Sequence, residues 1–288
     1  MLKRRNKSRY CSIIWPLLLL SLPYSCLAKC LRDRGDQNNE YEIAEPGTTP
    51  YHVSINHTEQ GHLCSGVIFA LHWVLSSAQC VHELDWTQAR IVAGIQDLLD
   101  AQQGDIHHID YVVIHALFDP IARVNDISLI RSRLKFEYTA HVRPIPIDWQ
   151  TPPRDAILRL TGWRWLNIPN ENKTQLRSVN LKAMSYRECF KRFILTPKKH
   201  IDVGYLCTLI NNLSGNRLIE TGSPLVYNDK LVGISSISAI CPYHCSNCDP
   251  FVASKIAYFY DFIIGITRGC SNCPQIAGYT AAYFQTYF

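Results

Sequence analysis

The chain has 288 residues, 47% of them hydrophobic, enough for one large folded domain or two small ones with an ample core. Its formal charge of +5 resides in the first 28 residues, where Lys3, Arg4, Arg5, Lys7 and Arg9 face no acids; taking these five from the 29 basic residues leaves 24 against 24 acidic ones. A mature chain near neutrality gives no support for nucleic acid or a membrane surface as a partner.

In chain order, the basic start is followed by an apolar run from Ile13 to Leu22 and then by Ser25-Cys26-Leu27-Ala28. This predicts a secretory signal over residues 1–28, cleaved after Ala28. The run is short for a membrane span, and an uncleaved anchor is the alternative reading. Residues 29–42 are polar and charged and read as a flexible lead-in. From Ile43, short runs such as Tyr51–Ile55, Trp73–Ser76, Tyr111–Ile114, Ile157–Leu160 and Leu231–Ile234 recur between Gly, Pro, Asn and Asp. Rich in Val, Ile and Tyr, they predict an all-β barrel or sandwich. Ala253 to Ile264 places Ile256, Phe259, Phe262 and Ile263 at helical spacing and predicts one amphipathic helix. No tandem repeat or linker divides residues 43–266, which read as one domain. Residues 267–288 form a tail with Cys270, Cys273 and the aromatics Tyr279, Tyr283, Phe284, Tyr287 and Phe288. That aromatic run is either a partner-binding surface or a segment buried against the barrel.

Of 12 cysteines, Cys11 and Cys26 leave with the leader, and an even ten remain. In an oxidising compartment that argues for disulfides. Three sequons, at Asn56, Asn172 and Asn212, are candidate glycan sites and agree with secretion into the extracellular space.

Six landmarks in order then carry a family resemblance. Glu45-Pro46-Gly47-Thr48-Thr49-Pro50-Tyr51-His52-Val53-Ser54 resembles the first strand of a chymotrypsin-like serine protease. Cys64-Ser65-Gly66-Val67-Ile68 resembles its Cys-Gly-Gly-Ser-Leu-Ile strand, and Trp73 to Cys80 its Trp-Val-Leu-Thr-Ala-Ala-His-Cys. Asn125-Asp126-Ile127-Ser128-Leu129-Ile130 looks like Asn-Asp-Ile-Ala-Leu-Leu, and Thr161-Gly162-Trp163 like Thr-Gly-Trp-Gly. Pro250-Phe251-Val252 through Phe262-Ile263 tracks the family's end. Between them, Ile219-Glu220-Thr221-Gly222-Ser223-Pro224-Leu225-Val226 resembles the nucleophile loop Gly-Asp-Ser-Gly-Gly-Pro-Leu-Val. The resemblance implies two six-stranded antiparallel barrels with a C-terminal helix. It also implies disulfides Cys64–Cys80 and Cys189–Cys207. The bridge before the nucleophile is broken, since Arg217 stands where its cysteine belongs. Cys30, Cys241, Cys245, Cys248, Cys270 and Cys273 remain, with undetermined pairing. Cys245-x2-Cys248 and Cys270-x2-Cys273 approach a four-cysteine zinc spacing, but in a secreted chain disulfides are the reading and no metal is expected.

The chemistry of that family needs a nucleophile, a base, an orienting carboxylate and two oxyanion donors. Asp126 supplies a carboxylate. Gln79 stands at the histidine position, and an amide cannot take up the proton. His82, three residues on, is a substitute outside the aligned site, and His72 reads as a strand or turn residue. Thr221 stands at the serine position without a visible base, and Ile219 at the glycine that provides an oxyanion donor. Glu220 replaces the aspartate that, in the family, pairs with a new N-terminus after cleavage, and the Ile-Val-Gly-Gly of that terminus is absent. Losing base or nucleophile alone costs roughly a million-fold in turnover. The expected function is that of a non-catalytic serine protease homologue, a cofactor or regulator of an extracellular proteolytic cascade. Its expected partners are extracellular proteins, proteases or their substrates among them, with no cofactor. The alternative is an active serine-type endopeptidase with a rewired site. Gly215, near the base of the specificity pocket, brings no acid, so a preference for Lys or Arg is not carried over.

Overall fold

The computed structural model describes residues 42–165, 173–193, 202–209, 220–237 and 250–268. Six strands close the first barrel: β2 (His52–His57), β3 (Gly61–Ala70), β4 (Trp73–Ser76), β5 (Ala89–Ala93), β6 (Asp105–Ile114) and β7 (Ser128–Ser132). Their spatial order is β2-β3-β4-β7-β6-β5, and β5 pairs back onto β2. Alternation along these strands turns Val53, Ile55, Ile68, Val74, Ile91 and Ile130 into the lumen, where Phe136 plugs them.

The second barrel is built from β8 (Ile157–Gly162), β9 (Arg177–Ala183), β10 (Tyr205–Leu209), β11 (Pro224–Tyr227), β12 (Lys230–Ile237) and β13 (Phe251–Lys255). The order β9-β10-β13-β12-β11-β8 closes through the β8–β9 pairing, and the short β1 (Glu42–Ile43) adds to β9 from outside. Leu158, Leu160, Leu181, Leu206, Leu225, Val232 and Phe251 fill it. All strand pairings in the two barrels are antiparallel, as the resemblance implies.

A third apolar cluster joins the barrels. Val67, Leu75, Ile127 and Leu129 of the first meet Val226, Leu231 and Ile234 of the second, under Ile256, Phe259, Phe262 and Ile263. The last four residues are those whose spacing predicts a helix, yet the helix begins later than expected. Residues 253–255 belong to β13, because Ala253 and Ser254 pair with β10 on one side and β12 on the other. A 3-10 turn at Ile256–Phe259 then leads into the helix Tyr260–Arg268. Two sheet neighbours thus override a local helical pattern.

Candidate functional site: a sealed carboxylate and a tethered loop

Asp126 precedes β7 on a loop that turns through two residues with left-handed backbones, Arg123 (φ 61°) and Asn125 (φ 53°). Such angles cost a non-glycine residue about 1 kcal/mol or more. Gln79 lies in helix α1 (Ala78–Val81), whose start is capped by Ser77 accepting from the Cys80 N–H at 3.1 Å. The helix brings the Gln79 backbone N–H onto Asp126 Oδ1 at 2.7 Å. The Ser236 hydroxyl donates to Oδ2 at 2.5 Å, and the Ser254 hydroxyl to the Asp126 main-chain carbonyl at 2.7 Å. Arg123 Nη1 stands 3.9 Å from Oδ2.

The Asp126 side chain has no exposure. Burial raises its carboxyl above the ordinary range, against the bonds from Ser236 and Gln79 and the charge of Arg123. Among the described residues, the covered side-chain oxygen of Gln79 has no hydrogen-bond donor and the covered Arg123 Nη1 no hydrogen-bond acceptor. His82, the substitute base, is engaged locally: Nδ1 meets the Gln79 carbonyl at 3.2 Å, Nε2 meets Glu83 at 3.4 Å, and the ring packs on Phe118. His72 contacts the Ser132 carbonyl at 3.3 Å in the turn between β3 and β4.

The loop carrying Thr221 is tethered mainly by its backbone and by Glu220. The Thr221 carbonyl accepts from the Ser65 N–H at 3.0 Å, and the Gly222 N–H donates to the Ser235 carbonyl at 2.9 Å. Gly222 has φ +85°, and a Cβ there would lie 1.9 Å from the Ser65 carbonyl oxygen, so no other residue fits. Glu220 Oε1 accepts from the Ser65 hydroxyl (2.8 Å), the Ser223 hydroxyl (2.9 Å) and the Trp163 N–H (2.9 Å). Its Oε2 accepts from the Arg164 N–H (3.2 Å) and pairs with His62 Nε2 at 2.7 Å. His62 Nδ1 reaches the Ser54 hydroxyl at 2.8 Å.

A second histidine extends this network. His52 Nε2 meets the Ser65 hydroxyl at 2.8 Å and Nδ1 meets Thr161 Oγ1 at 2.9 Å. Because Ser65 gives its proton to Glu220, its oxygen accepts from His52, which fixes the Nε2–H tautomer and leaves Nδ1 to accept from Thr161. Burial holds His52 down at about 3, so it is neutral at physiological pH. Burial pushes Glu220 the other way, upward, but the charge and hydrogen bond of His62, with the Trp163 N–H, outweigh it and hold the carboxyl at about 2. The Trp163 ring closes the network edge-on, 4.6 Å from His52 and 5.2 Å from His62.

Two barrels with this helix between them invite comparison with known proteins, and the Trypsin family profile matches residues 39–263. The chain belongs to the trypsin family. It is 27% identical to chymotrypsin-2 of Vespa crabro over 76% of this chain and 95% of that protein. It is 25% identical to the snake venom serine protease rhinocerase 4 of Bitis rhinoceros over 77% of this chain and 85% of that protein. The solved structure of neuropsin, a serine protease expressed in the limbic system of mouse brain, superposes with a TM-score of 0.66 at 23% identity. That match covers 79% of this chain and 98% of neuropsin, and it bears on the fold.

Within this trypsin-family frame, the disulfides Cys64–Cys80 and Cys189–Cys207 are formed, each with Cα atoms 6.0 Å apart. Asn56 calls for a correction: it lies in β2 at 5% exposure, and a glycan on its amide would displace the packing above it. Ile219, Arg217, Gly215, Asn172, Asn212, Cys30, Cys241, Cys245, Cys248, Cys270 and Cys273 lie outside the described residues, as does the aromatic tail.

Sequence reasoning missed Ser236, Ser65, Ser223, His52 and His62. Three signals were present: consecutive serines at 235–236 in an apolar strand, and serines at 65 and 223 where the quoted motifs carry glycine. Both of the latter give Glu220 a hydroxyl donor.

Proposed function

We propose that this chain is a secreted, non-catalytic member of the trypsin family that acts by binding extracellular proteins, as cofactor or regulator in a proteolytic cascade. One observation carries the reading: Gln79 stands where the family places its general base. An amide accepts no proton at working pH, so nothing there activates the Thr221 hydroxyl. The surroundings support it further. His82, the nearby imidazole weighed as a substitute base, is turned to local partners.

The test is fluorophosphonate labelling of the purified secreted protein, beside a peptide-library assay and a Thr221→Ala control. No labelling and no cleavage is the expected result. Labelling or cleavage that disappears in Thr221→Ala would overturn the reading and make the chain a serine-type endopeptidase.

A further inference from the structure

A groove of about 320 Å³ opens on the first barrel and shares no residue with the positions aligned to the catalytic centre. Its walls are the segment around Pro46 and Pro50 that leads into β2, the loop joining β5 to β6 with Asp100 and Gln103, and His141. Its volume falls at the small end of ligand clefts, about 300–1,000 Å³. His52 forms part of its lining.

The lining has a definite chemistry. Among the described residues, Asp100 is its one carboxylate and is exposed, and no lysine or arginine lines it. Both ring nitrogens of His52 are committed to Ser65 and Thr161, and burial keeps that ring uncharged. Pro46 and Pro50 offer rigid apolar surface beside these polar groups. A cation on a short aliphatic stem matches this combination: the stem lies on the prolines and the charge meets Asp100.

We infer that this groove receives a lysine or arginine side chain of a partner protein. The groove stands apart from the catalytic cleft, so its role does not depend on whether that cleft is inactive.

Trp163 supplies a reporter. Its indole N–H donates to the Gln96 carbonyl at 3.2 Å, Gln96 lines the groove, and its ring packs on His52. The experiment is an NMR titration of the full secreted chain carrying ¹⁵N-tryptophan, with the Trp163 indole signal assigned by its loss in Trp163→Phe. The probes are N-acetyl-lysine methylamide, N-acetyl-arginine methylamide and the uncharged N-acetyl-norleucine methylamide. The cationic probes are expected to shift the Trp163 signal saturably and the norleucine probe to leave it in place. Asp100→Asn should weaken the cationic probes roughly threefold, the size of an exposed ion pair. Gln103→Lys, which sets a competing cation beside Asp100 at an exposed position, should weaken them further. Equal shifts with charged and uncharged probes, no saturable shift, or unchanged affinity in both variants would overturn the inference. None of these outcomes bears on fluorophosphonate labelling.

Discussion

At the scale of single residues, Glu220 is the most heavily bonded side chain of the site, and its substitution is the sharpest test of the network. Glu220→Gln removes the charge facing His62 and forces an amide N–H₂ among donors. Breaking a buried pair from one side costs about 3–5 kcal/mol. In a domain of more than 200 residues each kcal/mol moves the melting midpoint about 2–4 °C. Thermal unfolding of Glu220→Gln at pH 7 should therefore show a midpoint lower by roughly 6–20 °C. The pH dependence has a definite sign. Glu220 is held at about 2 against an ordinary 4.5, and His52 at about 3 against an ordinary 6.5. In both windows the unfolded chain binds protons more readily than the folded one, so stability rises with pH across them. Denaturant midpoints should fall first below pH 6.5, through His52, and further below pH 4.5, through Glu220. His52→Gln should flatten the upper part of that fall and leave the lower part. Little of this was legible in the sequence. Gln79, Asp126 and Thr221 could be placed because they sit inside motifs with fixed neighbours. His52 and His62 could not, because their roles arise from contacts 158 and 109 positions apart along the chain, His62 with Glu220 and His52 with Thr161.

At the scale of elements, β3 and α1 together deliver Gln79, and the Cys64–Cys80 bridge ties them across a separation of 16 residues. Closing a loop of that length limits the unfolded chain by about 3 kcal/mol in the loop-entropy account. The double variant Cys64→Ala, Cys80→Ala is expected to lose about that much in equilibrium urea unfolding, with the fold retained. Most strands were legible because half-buried barrel strands alternate and end at Gly, Pro, Asn and Asp. The terminal helix was legible in which residues it buries but not in where it starts. The periodicity at Ile256, Phe259, Phe262 and Ile263 reports a shared apolar face, which a strand followed by a 3-10 turn and a helix presents as well as one continuous helix does.

At the scale of the whole molecule, the family's fold persists here, and in the proposed reading its centre is altered at several places at once. Restoring the two side chains that chemistry names should therefore fail. In the double variant Gln79→His, Thr221→Ser, a new imidazole would need an oxygen of Asp126. It would share those oxygens with a backbone N–H and Ser236, while the Thr221 loop stays held through Glu220 by His62, Ser65, Ser223 and Trp163. Fluorophosphonate labelling of that variant is expected to stay at background; labelling would mean that the site opens more readily than its packing indicates. A last consequence concerns trimming. The side chain paired with Glu220 is His62, a residue of the same chain's first barrel. The loop as it stands is thus shaped by contacts within the folded chain. Trimming the residues ahead of β1 is expected to leave these contacts in place. Intact and trimmed forms should bind the same partner with equal strength, a comparison that one pull-down with each form would make.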